Sequence, residues 1–256
     1  MPITIDACVA QHQGDRKEQQ DRVAILPHPQ GGGMALAVVA DGMGGHTGGA
    51  LAAEQVVHTA RNNFDHFSPQ SESARHLLES SVLEAHMLIK ASRFINEKDP
   101  HSTAVMLLLA PGKVSWAHCG DSRLYHFHGD RLNSRTIDHS YVEQLVHQGK
   151  ITPEQALVHP NRNILLTSMG GSEAPKMAFG ESREVLGGDS FLLCSDGLWS
   201  YFSDAELGGV IAAFPAREAA EVLINRARAR AKGEGDNVSL AILKLVEAAP
   251  ANKPAQ

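Results

Sequence analysis

The chain has 256 residues, with 23 basic and 29 acidic side chains, a formal charge of −6 and 43% apolar residues. That balance excludes the basic footprint of a nucleic-acid binder, and no apolar run nears the roughly 18 residues that a membrane span needs. Three cysteines, Cys8, Cys119 and Cys194, fall inside expected strands and make an odd count, so they read as buried thiols in a reducing compartment rather than a disulfide framework.

The N-terminus lacks a basic stretch followed by an apolar one, so no signal peptide is expected and the chain reads as soluble, cytoplasmic and monomeric. Segments 3–10, 22–27 and 33–40 are short, rich in Val, Ile and Ala, and bounded by polar or glycine clusters, which predicts strands. A long helical region follows, with Leu77, Leu78, Val82, Ala85, Leu88, Ile89 and Ile95 at helical spacing. Strands over 103–110, 114–119, 123–127 and 131–137 are joined by Pro111-Gly112, Gly120-Asp121 and Gly129-Asp130. Turns this short mean antiparallel pairing, because parallel neighbours need a crossover of about a dozen residues.

Ser140…Glu143 and Thr152…Gln155, the second with Pro153 at its first position, open two short helices. Residues 157–175 are polar and irregular; a strand over 189–195 then leads into Asp196. Ser203…Glu206 opens a further helix, 217–232 form another, and a strand over 238–246 closes the fold. The tail from Ala248 is expected to be disordered. The run Val105–Leu109 is apolar on both faces, so its sheet must be covered on both sides. An α+β arrangement meets that need, a four-layer α-β-β-α sandwich of two antiparallel sheets with helices outside.

Asp41, Asp196 and Asp236 each stand at the end of an apolar run or in a glycine-rich turn, 155 and 40 residues apart. One Asp-Gly is an ordinary turn, but three such carboxylates gathered from distant strands repel one another unless hard cations sit between them. Oxygen donors in that pattern suit Mg²⁺ or Mn²⁺. Gly42, with no side chain, can present its carbonyl as a further ligand. Arg16 is the candidate to grip a phosphate, since a guanidinium fork matches two phosphoryl oxygens.

These residues resemble a known family. Arg16…Asp21, Asp41-Gly42-Met43-Gly44-Gly45-His46, Ser102-Thr103, Gly120-Asp121-Ser122-Arg123, Asp138-His139-Ser140, Ser195-Asp196-Gly197 and Gly235-Asp236-Asn237 follow the order found in the metal-dependent type 2C Ser/Thr protein phosphatases, in their compact bacterial form. The resemblance covers about residues 3–246. It implies a catalytic domain over 1–247 and hydrolysis of phosphoserine and phosphothreonine by metal-activated water, reversing a bacterial Ser/Thr kinase. Its cofactors would be two Mn²⁺ or Mg²⁺ ions held by Asp41, the Gly42 carbonyl, Asp196 and Asp236. Asp21 would stand near the metal waters, Arg16 would hold the phosphate, and Asp121 would bind a third ion. Residues 141–171 would be the flap that shapes substrate access.

The chain departs from the family pattern at Gln20, where many members carry Glu, and at Met43, where animal members carry a His proposed as general acid. His46 is a loose substitute for that acid. Ser200 stands where bacterial relatives often carry Asp. The octapeptide Ser195–Phe202 is similar to short phosphatases associated with type VI secretion.

Two other readings compete. A catalytically weak pseudo-phosphatase that binds phosphoproteins would be expected to have lost a ligand, yet Asp41, Asp196, Asp236 and Arg16 are all present. A phosphodiesterase would need His-rich ligand sets that the spacing does not provide. His126 and His128 share a strand face by the period of two and read as surface histidines. Asp138 and Ser140 read as helix caps.

Overall fold

A computed structural model describes residues 3–44, 47–96 and 99–247. His46 and the tail 248–256 lie outside them. Two-sided burial explains the layering. In β6 (Ala104–Ala110), Ala104, Met106 and Leu108 pack to one side and Val105, Leu107 and Leu109 to the other, all of them buried. A strand with both faces apolar is stable only between two covering layers.

Its sheet has the order β10 (Ala178–Ser182), β7 (Lys113–Cys119), β6, β3 (Ala35–Ala40), β2 (Arg22–Pro27). The second sheet runs β1 (Ile3–His12), β12 (Val238–Glu247), β11 (Asp189–Cys194), β8 (Arg123–His128), β9 (Arg131–Arg135). Every pairing is antiparallel. Ala37, Val39, Leu107, Phe191, Leu193, Ala241 and Leu243 meet between the sheets.

Helices α1 (Thr47–His66) and α2 (Ala74–Asn96) cover the first sheet. The expected periodicity of α2 is present, with Leu77, Leu78, Val82, Ala85 and Ile89 buried, although Leu88 is exposed. The second sheet is covered by α6 (Asp204–Ala213) and α7 (Ala216–Ala231) through Leu207, Ile211, Ala220 and Leu223. The four-layer α-β-β-α sandwich is thus the observed architecture. The remaining helices are short: α3 (Tyr141–His147), α4 (Pro153–Leu157) and the one-turn α5 (Asp196–Trp199), whose Leu198 joins the core under α7. Thr152 and Ser203 form complete capping boxes, as their sequences predict.

Four short elements carried too little signal to be expected. A ribbon of β4 (Gly42–Met43) and β5 (His101–Ser102) has two residues per strand. The turn of α5 is only four residues long. Strand β10 contains Gly180, over which the Trp116 ring lies so closely that a Cβ would stand 2.2 Å from it. A glycine inside a strand weakens the sequence signal and marks a close approach of this kind. No described helix is long and apolar enough to cross a membrane.

Candidate metal centre

Five carboxylates come from five chain segments, each at the edge of regular structure. Asp21 precedes β2, Asp41 lies between β3 and β4, Asp121 sits in the β7–β8 turn, Asp196 begins α5, and Asp236 precedes β12. Asp21 and Asp121 are buried, while Asp41, Asp196 and Asp236 keep partial contact with solvent.

Each is held by hydroxyl or amide groups. The Asp41 amide donates to Thr103 Oγ1 at 3.0 Å, and its carbonyl accepts from the Thr103 amide at 2.9 Å and Ser102 Oγ at 3.1 Å. Thr103 Oγ1 also meets Ser122 Oγ, next to Asp121, at 2.7 Å. Ser195 Oγ donates to Asp21 Oδ2 at 2.7 Å and accepts from the Ser239 amide at 3.1 Å, so one hydroxyl ties Asp21 to the ends of β11 and β12.

Asn237 holds the loop that carries Arg16. Its Nδ2 donates to the Gln13 and Glu18 carbonyls at 2.7 and 2.9 Å, and its Oδ1 accepts from the Gln20 amide at 2.7 Å. Asp15 adds a reciprocal pair with Gly235 at 2.8 and 2.9 Å. Gly14 adopts φ +67°, and a Cβ there would stand 2.0 Å from the Asp236 carbonyl oxygen. Only glycine permits both that conformation and that approach. Gly42 is required for a related reason, since its Cβ would meet the Gly49 carbonyl oxygen at 2.0 Å.

Electrostatically the five carboxylates form one group. Burial, then the charges of Asp21, Asp196, Asp121 and Asp236, holds the Asp41 carboxyl well above the usual range. Asp121 is raised in the same way, by burial first and Asp196 next. Burial pushes Asp21 up to about 7, and burial with Asp236 pushes Asp196 up to about 6, opposed by Arg16 and a hydrogen bond with Asp41. An all-oxygen donor set in which Asp21, Asp41, Asp121 and Asp196 are all raised fits hard divalent cations, which would remove the repulsion. As placed, no three His, Cys, Asp or Glu side chains among the described residues are arranged to hold a metal ion. Asp236 Oδ2 is turned onto Arg16 Nη2 at 2.6 Å, and Asp21 is engaged by Ser195.

The structure therefore brings Arg16, Asp21, Asp41, Gly42, Asp121, Asp196 and Asp236 into one region. Gln20 joins it through its amide contact with Asn237. Met43 is half-buried in β4 and Ser200 is exposed. Sequence reasoning missed the parts played by Thr103, Ser195 and Asn237. All three stand in the motifs that carry the family resemblance, and Ser195 and Asn237 adjoin an acidic residue, but Thr103 adjoins none and its partner Asp41 is 62 residues away. Two expectations are corrected. His126 is buried, stacked on Phe191 at 4.6 Å with Nε2 3.4 Å from Asp189 Oδ1, whereas His128 is exposed. Ser140 does cap α3, but Asp138 does not, because both its oxygens accept from Arg123 at 2.8 Å.

Comparison with known proteins agrees with this geometry. The protein-family model described as Protein phosphatase 2C matches residues 10–232. The chain is similar to "Protein phosphatase PhpP" of Streptococcus pneumoniae, 30% identical over 221 residues that cover 84% of this chain and 87% of that one. Its fold resembles the catalytic domain of the serine/threonine protein phosphatase PstP in complex with two manganese ions, with a TM-score of 0.81, 27% identity and coverage of 96% and 100%. It also resembles PppA, described as a key regulatory component of the type VI secretion system in Pseudomonas aeruginosa, with a TM-score of 0.78, 29% identity and coverage of 94% and 97%.

Proposed function

This chain belongs to the protein phosphatase 2C family, and on that premise we propose that it hydrolyses phosphoserine and phosphothreonine in proteins, with residues 1–247 as its catalytic domain. The observation that carries the reading is the convergence of Asp21, Asp41, Asp121, Asp196 and Asp236 on one electrostatically linked group, with the Arg16 guanidinium paired to Asp236 at its edge. Asp41, the Gly42 carbonyl, Asp196 and Asp236 would hold two Mn²⁺ or Mg²⁺ ions, and Asp121 a third. When bound, such ions supply the Lewis acidity that makes water nucleophilic at neutral pH and the positive charge that a phosphate dianion needs.

The chain's own groups do the rest. Arg16, whose side chain is 60% exposed, would turn from Asp236 to two phosphoryl oxygens and offset charge that builds on them in the transition state. Asn237 keeps its loop in register with Asp236, so that grip and ligand stay together. Ser195 fixes the Asp21 carboxyl and Thr103 fixes the Asp41 backbone, which limits the reorganisation needed on binding. Substrates would be phosphoproteins of a bacterial-type Ser/Thr kinase in the cytoplasm.

Hydrolysis of a phosphothreonine peptide with Mn²⁺, with Mg²⁺ and with excess EDTA tests the reading. Turnover that needs metal and is lost in Asp41→Ala is the expected result. Metal binding by the wild type without turnover would overturn it.

A further inference from the structure

Asp121 and Asp196 reach the centre from separate segments, a turn between two strands and the first residue of a one-turn helix. Trp199, the last residue of that helix, spans the gap. Its indole Nε1–H donates to the Asp121 carbonyl at 2.9 Å. On its face lies the Arg123 guanidinium, 3.4 Å from the ring centroid. Arg123 is locked in turn, with Nε and Nη2 each 2.8 Å from the Asp138 carboxylate and Nη1 3.2 Å from Tyr125 Oη. The side chains of Arg123 and Asp138 are only 12% and 6% exposed. A bidentate pair this well shielded keeps its geometry far better than a surface pair. Nothing in the carboxylate group itself requires such an assembly, and no charged side chain follows Asp196 on the exposed end of α5, where Ser200 stands.

We propose that Trp199 is a positioning residue that sets the spacing between Asp121 and Asp196, and so the affinity of the chain for a divalent cation shared by these two carboxylates. The inference rests on the reading of Asp121 and Asp196 as ligands. The chain of contacts is Asp138 to Arg123 to the indole face, and from the indole N–H to the Asp121 backbone. Asp121 is held on its other side by Ser122 and Thr103, which tie it to Asp41. Losing the indole N–H frees one of these two anchors and leaves the second. The effect should therefore fall on the cation that depends on Asp121, while those held by Asp41 and Asp236 are spared.

Trp199→Phe tests this, because phenylalanine keeps an aromatic face for Arg123 and deletes the N–H. Mn²⁺ binding to the full chain is followed by calorimetry and by the electron paramagnetic resonance of free Mn²⁺, in wild type, Trp199→Phe, Asp121→Asn and the double variant. The expected result is about tenfold weaker binding of the weakest ion in Trp199→Phe, the usual scale for a group that orients a ligand. The tighter ions should be unchanged, which a general loss of packing would not produce. In the Asp121→Asn background the same substitution should have no further effect, since a residue acting through Asp121 has nothing left to position. Unchanged weak binding in Trp199→Phe would overturn the proposal, as would equal weakening of all ions or an effect that persists in the double variant. If Asp121→Asn bound Mn²⁺ just as the wild type does, the strut would fall with the Asp121 assignment. The tighter ions and the phosphatase reading would then stand on their own titration and turnover.

Discussion

Arg16 Nη2 lies 2.6 Å from Asp236 Oδ2, with the two side chains 60% and 38% exposed, so the phosphate-binding candidate and a metal-ligand candidate share one ion pair at the solvent boundary. An exposed pair of this kind adds little to stability, about 0–1 kcal/mol. Its value lies in holding the guanidinium beside the carboxylates. Arg16→Ala should raise the KM for a phosphothreonine peptide by roughly 10–100-fold, the loss of a charge-assisted fork, with the melting temperature unchanged. A fall in kcat with KM constant would show that Arg16 does not bind the substrate's ground state.

Asp41→Asn should separate stability from function. Burial and four neighbouring carboxylates disfavour the charged Asp41 side chain, so neutralising it should stabilise the chain in excess EDTA by about 1 kcal/mol, or roughly 2–4 °C for a domain of this size. The same substitution should abolish Mn²⁺-dependent turnover. Thermal unfolding in EDTA checks the first half, and a lower melting temperature there would contradict the electrostatic account.

Asn237→Ala should loosen the Arg16 loop. The substitution removes two donated bonds and one accepted bond from a buried amide, at a cost of about 2–4 kcal/mol. Limited trypsin digestion should then cleave after Arg16 and Lys17 faster than in wild type under native conditions. Cleavage at the wild-type rate would mean that Asp15 and Gly235 suffice to hold the loop.

His139, just before the expected flap, makes the fold acid-sensitive. Its ring stacks on His118 at 4.5 Å, its Nδ1 accepts from the Gly120 amide at 3.3 Å, and desolvation with the neighbouring His118 lowers its pKa from 6.5 to about 4. The folded chain therefore takes up this proton later than the unfolded chain. The stabilisation from the neutral ring is complete above pH 6.5 and is lost as pH falls towards 4. Allowing for partial exposure, the loss is about 1 kcal/mol. With Mn²⁺ present, urea unfolding of His139→Asn should show a deficit at pH 8 that narrows by that amount at pH 5. An equal deficit at both values would remove His139 as the titrating group.

The legibility of this protein divides by distance along the chain. The strands of β3, β6 and β12, the periodicity of α2 and the capping boxes at Thr152 and Ser203 depend on residues within a few positions of one another, and each was expected. The acidic residues at strand ends were equally legible. Asn237 was not, because the carbonyls it binds belong to Gln13 and Glu18, more than 200 residues away. His126 and His128 show the same boundary. The period of two puts them on one face of β8, but only the packing of Tyr125 and Phe127 against the helices turns His126 inward, onto Phe191 and Asp189, while His128 at the strand's end stays exposed.

By itself, the amino-acid sequence determined the two-faced strands, hence the four layers, and singled out Asp41, Asp196 and Asp236, because side-chain chemistry and local periodicity act over one or two turns of chain; Asp21 and Asp121 came from the family resemblance. The tertiary structure alone decided the partners. Antiparallel register lays His12 opposite Val238 and Cys194 opposite Leu240, and that alignment carries Asp236 to Arg16 and Asn237 to Gln13, while the packing of one sheet on the other brings Ser195, after β11, to Asp21, before β2. Pairings of this kind are fixed by the packing of whole sheets, which no short stretch of sequence contains.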